Sequence, residues 1–196
     1  MYEDEIKSRT PRTSFYNCLK NSAKQFYIST KHGHYIIAGY PWFKIRARDQ
    51  FIALPGCTLS VHHRPDFEAI MDTAALAFDK WMKTLEPDKH LQGIDLPDVP
   101  LWAIWDVQRY SHDQSNEIAR NRYGNMCKSL INFIIDGKHP NLRVDDNGLV
   151  WTDGTKKPMS WMDAANPDGT PMIPRTGYLV EFNALWYNAL MFLQEI

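Results

Sequence analysis

The sequence predicts an all-α domain that carries one small β-hairpin near residues 142–153. Three observations lead there. Apolar residues recur every three or four positions in two long stretches. One holds Phe67, Ile70, Met71, Ala74, Ala75, Phe78 and Met82; the other holds Phe182, Leu185, Trp186, Ala189, Leu190 and Leu193. That is the spacing of a single helix face. Asp146, Asn147 and Gly148 lie between short apolar runs, a turn that joins two antiparallel strands. The chain has 196 residues, 44% of them hydrophobic, which suits one domain with a sizeable core.

The elements follow in order. Residues 13–28 read as a first helix, with Phe15, Tyr16, Leu19, Ala23, Phe26 and Tyr27 as its apolar positions. Gly33, Gly39 and Pro41 mark a structured loop. "RDQFIALPGCTLSV" reads as a buried helix kinked at Pro55. The next helix covers 66–85, with Asp66 as its N-cap. After a proline-rich connection, Asp98 caps a helix with Pro100 in its first turn. "LWAIWDVQRY" is apolar nearly all round, as in a deeply buried helix. A further helix runs from about 114 to 136 and stops near Gly137. Loops rich in proline follow the hairpin, and a regular helix closes the chain.

Charge and composition narrow the function. The net charge is −1, so nothing favours nucleic acid or a membrane surface as a partner. No apolar run approaches the length of a membrane-spanning helix. The acidic start, Met1-Tyr2-Glu3-Asp4-Glu5, is unlike a secretory signal, and Cys18, Cys57 and Cys127 suit free thiols better than a disulfide framework. Together these point to the cytoplasm. His32, His34, His62 and His63 have no acidic or thiol partner at a metal-site spacing, so neither metal nor cofactor is expected.

Aromatic residues make up 13% of the chain, with seven tryptophans. Three constellations combine them with charge. Tyr40, Pro41, Trp42 and Phe43 precede Arg46, Ala47, Arg48 and Asp49. Rings pack on the apolar face of a sugar, and a guanidinium and a carboxylate bind its hydroxyls; the same Arg–Asp pair also suits a salt bridge at a helix start. Asp163 stands in "MSWMDA" beside Trp161. Poor solvation there favours the protonated acid that a proton donor needs, while a turn aspartate bonded to backbone fits the same stretch. Glu181 falls in the first turn of the last helix, where either a dipole contact or a place at a site rim accounts for it.

Three segments, "IIAGYPWFKIRARDQFIALPG" (36–56), "PLWAIWDVQRY" (100–110) and "MSWMDAANPDGTPMIPRTGYLVEFNALWYNAL" (159–190), resemble in order the glycogen debranching enzyme family, specifically its amylo-α-1,6-glucosidase domain. The resemblance implies an (α/α)6 barrel, of which this chain is the front half, residues 1–196 forming a single partial domain. It implies hydrolysis of α-1,6 branch points in glycogen-like α-glucans with inversion. It makes Asp163 the general acid. It gives Arg48 and Asp49 the grip on the released glucose, Glu181 a place at the rim, and Trp42 and Trp161 the stacking walls. The general base is expected beyond residue 196. An isolated half-barrel is expected to self-associate or to pair with the C-terminal half. A non-catalytic glucan-binding module, or a related helical-barrel α-glycosidase, is the alternative. One departure stands out: Arg46-Ala47 precede Arg48-Asp49 where the family commonly has Trp-Gly.

Overall fold

The computed structural model describes residues 9–196, so the acidic start of the chain lies outside the described residues. Six main helices form the body, and two hairpins sit against them. Helix α1 (Phe15–Lys24) is capped by the Ser14 hydroxyl, which accepts from the Asn17 amide. It ends four residues before the sequence reading placed its end. The chain instead enters β1 (Tyr27–Thr30), which pairs antiparallel with β2 (Gly33–Ile36). Gly33, at φ +142°, lies so close to Thr73 that a Cβ would fall 2.3 Å from the threonine methyl. Tyr35 and Ile36 are buried against the helices, and the Ile36 amide donates to Gln50 Oε1. These long-range contacts turn a stretch without clear alternation into a strand pair.

Helix α2 (Ala47–Cys57) runs through Pro55 and stops two residues later, because proline removes a donor and crowds the preceding turn. Helix α3 (Arg64–Thr84) starts two residues before the expected cap. Pro65 pre-sets its first turn, and the Asp66 carboxylate bonds His63 Nδ1 at 3.0 Å instead of capping. Helix α4 (Val99–Asp113) begins where expected. Its N-cap residue Asp98 makes no cap bond, however, because Arg48 takes its carboxylate. Helix α5 (Asn116–Ala119) passes through a π turn at Arg120–Gly124 into α6 (Asn125–Ile135). Gly137, at φ +66°, closes α6, with its own amide and that of Lys138 returned to the last carbonyls. Strands β3 (Arg143–Val144) and β4 (Val150–Trp151) form the expected hairpin around Gly148, and α7 (Val180–Glu195) ends the chain.

Side-chain contacts fix the helix directions. Arg48 meets Asp98 at the starts of α2 and α4. Asn188 meets Gln108 at the middles of α7 and α4, and Asn116 reaches the Glu195 carbonyl at their far ends. Helices α2, α4 and α7 are therefore parallel, with α4 between the others. Helix α3 runs against them, since Arg64 and Glu68 at its start meet Gln114 and Tyr110 at the end of α4. Helix α6 also runs against them: Phe133, near its end, packs on Trp81 near the end of α3. The core between these sets holds Phe51 on Phe78 and Phe67 on Tyr110. Each such ring contributes about 1.5–3 kcal/mol by leaving water. The arrangement gathers the starts of three parallel helices at one end, where the loops before α2, before α4 and before α7 also meet.

Candidate active site

At that end the Arg48 guanidinium is clamped. Its Nε and Nη2 donate to the two oxygens of Asp98 at 2.7 and 2.9 Å, and Nη2 also donates to the Met159 carbonyl at 3.1 Å. The side chains are only 8% and 3% exposed. A charge so deeply buried needs both a partner and further hydrogen bonds, and here each supplies them to the other. The bond to Met159 ties the loop before α7 to the helix starts. Met159 and Ser160 are buried, and the chain then emerges at Trp161.

Asp163 follows, and its Oδ2 lies 3.5 Å from Arg46 Nη1 and 4.0 Å from Arg48 Nη1. The expected apolar setting is not what surrounds it: its side chain is 49% exposed, and Trp161 is 61% exposed. What stands beside the carboxylate is positive charge. Arg46 comes from a pinned backbone, with the Ala47 amide donating to the Gln92 carbonyl at 2.8 Å. Its guanidinium lies 5.3 Å from the Phe43 ring centroid. A cavity of about 250 Å³ opens between these groups, lined by Arg46, Arg48, Asp49, Gln92, Gly93, Leu96, Pro158 and Asp163. Asp49 reaches it from the first turn of α2.

Three of the sequence-predicted residues, Arg48, Asp49 and Asp163, therefore meet in one cavity. The other three do not line it. Trp42 is 82% exposed and Trp161 stands outside the lining. Glu181 is held by Arg175, with contacts of 2.5 and 3.2 Å to the two guanidinium nitrogens. Sequence reasoning missed the 92–96 wall, whose residues lie in a connection with no periodic signal. It also read Asp98 only as a cap. A cavity of about 430 Å³ at the opposite helix ends, lined by Trp105, Arg109, His112 and Asp113 among others, holds none of the predicted residues.

The most perturbed carboxyl group is elsewhere. Asp106 in α4 is fully buried, neither of its oxygens has a hydrogen-bond partner among the described residues, and burial pushes its pKa well up. Burial also pushes the Cys127 thiol up to about 12 and His139 down to about 3. All three cysteines are free thiols. Among the described residues no group of three or more His, Cys, Asp or Glu could hold a metal ion. None of the described helices is long and apolar enough to cross a membrane.

Fold and cavity together define a helical domain with a carboxylate–guanidinium site at the starts of its parallel helices. The family is more specific: the chain belongs to the amylo-α-1,6-glucosidase family, whose model matches residues 17–196. No curated protein and no solved structure matches it. The family is one of glycoside hydrolases of the glycogen-debranching type and implies an α-glucan as substrate.

Proposed function

We propose that this chain supplies the acid side of an inverting α-1,6-glucosidase acting on branch points of glycogen-like glucans. The observation that supports it most is the meeting of Asp163, Arg48 and Asp49 in one cavity. In this reading Asp163 gives its proton to the glycosidic oxygen as the bond to C1 breaks, and the leaving sugar departs as an alcohol. A second carboxylate about 6.5–9.5 Å away takes a proton from the water that attacks the opposite face of the sugar. We assign that base to the C-terminal part of the family's domain and leave Asp49 to hold the glucose. Trp42 and Trp161, exposed outside the cavity, serve as stacking walls for the outer glucan, and Glu181 shapes the rim through Arg175.

The fold proposal is half of an (α/α)6 barrel, with α2, α4 and α7 as inner helices and α3 and α6 as outer ones; their opposed directions support it. Exposed Ile52, Tyr187 and Met191 on the inner helices support pairing with the C-terminal half, or self-association of the isolated chain. Free thiols fit a cytoplasmic setting. A glucan-binding module without catalysis is the second reading, favoured by the guanidiniums that flank Asp163.

The test uses the complete family domain and a branched dextrin. Asp163→Asn is expected to abolish glucose release while calorimetry still detects oligosaccharide binding; retained turnover removes the acid role. Binding by the unmodified complete domain with no hydrolysis supports the module.

A further inference from the structure

Arg48 and Arg46 both face Asp163, but their donors are not equally free. Arg48 has spent Nε and Nη2 on Asp98 and Met159, which fixes its plane and leaves only Nη1, 4.0 Å from Asp163, toward the cavity. Arg46 makes no side-chain hydrogen bond among the described residues, and Asp163 is its only carboxylate neighbour there, at 3.5 Å. The Asp163 carboxylate likewise accepts no hydrogen bond from the described residues. A guanidinium carries five N–H donors in a planar fork. The root of this one is fixed through Gln92, its head is 45% exposed against Phe43, and it lines the cavity.

We infer that Arg46 is the clamp that reads the sugar: its fork donates to a ring hydroxyl beside the bond that Asp163 protonates. Arg48 then acts as the frame of the site with one nitrogen toward the cavity, and the arginine two residues before it adds the donors that can move. The exposed ion pair between Arg46 and Asp163 is weak, so an entering hydroxyl draws Arg46 from it at little cost. The charge-assisted hydrogen bond from Arg46 to that hydroxyl then makes up the difference. This assignment rests on the reading of the cavity as a glucan site, and the two can fail separately.

The test is calorimetry of the chain with maltotriose and, in parallel, mannotriose, together with monodeoxy analogues of methyl α-glucoside. Arg46→Gln is expected to weaken binding about tenfold, the scale of one charge-assisted hydrogen bond. Arg46→Lys is expected to recover part of it, because an ammonium keeps the charge but loses the fork. The melting temperature should move by less than about 4 °C. The diagnostic readout is an analogue that lacks the clamped hydroxyl: for it, native chain and Arg46→Gln should bind alike, which a merely structural role would not produce. If maltotriose binds equally to both proteins, the clamp is overturned and the glucan reading stands. If mannotriose binds in an Arg46-dependent way and maltotriose does not bind, the clamp stands and the glucan reading falls. If the native chain binds no sugar and the complete family domain also binds no sugar, both fall.

Discussion

Two arginine–carboxylate contacts lie two residues apart at the same helix ends, and they do opposite work. Arg48 and Asp98 are buried, bidentate and tied to a third segment through Met159. The side chains of Arg46 and Asp163 are half exposed, 3.5 Å apart and hydrogen-bonded to nothing described. Charge type does not separate them; solvent does. In a dry setting a pair must be complete, and it then locks the elements that carry it. In a wet setting the same pair gains little, because water and salt screen it. Its groups stay available to a ligand.

The hardest way to break this contrast is to strip the buried pair. Asp98→Ala leaves the Arg48 charge uncompensated and is expected to cost about 3–5 kcal/mol, read by urea unfolding; a loss under 1 kcal/mol would mean that Arg48 finds water instead. Asp106 sharpens it, as a buried carboxyl group with no hydrogen-bond partner among the described residues. Burial raises its pKa above the unfolded value. Its stabilising contribution is therefore fully present below the ordinary carboxylate range and is lost as pH rises through the raised value. Asp106→Asn removes that loss. The variant should gain on the native chain by about 1–3 kcal/mol toward neutral pH, and a gap that stays constant between pH 5 and pH 8 would refute this. Arg46→Gln is the gentlest change. It should alter stability by less than about 1 kcal/mol, with the difference shrinking at high salt; a larger, salt-independent loss would make Arg46 structural.

The helices were legible where burial is one-sided. In α3, buried Phe67, Ile70, Met71, Ala74 and Phe78 fall on the predicted stripe. In α7, Phe182, Trp186 and Ala189 do the same. The Gly148 turn was legible because its conformation suits glycine. The β1–β2 pair was not: Phe26 and Tyr27 continued a helical pattern, and only contact with α3 and Gln50 gives Tyr35 and Ile36 something to pack on. Asp66 failed as a cap because Pro65 starts the helix earlier. In the site, Arg48, Asp49 and Asp163 were legible through the order of their segments. Gln92 and Gly93 were not, because a wall built from a loop backbone leaves no periodic mark. Glu181 sits in the first turn as read, but Arg175 holds it outside the cavity lining.

By itself the sequence determined the helical class, the position of each main helix, the second hairpin and the family, because apolar spacing and ordered motifs are properties of the chain read in line. Tertiary structure alone decided which arginine is buried with a carboxylate and which stands half exposed at the cavity. That choice depends on how α2 packs beside α4 and where Met159 passes, since burial sets whether a charge must be satisfied by protein or stays open to what enters from water.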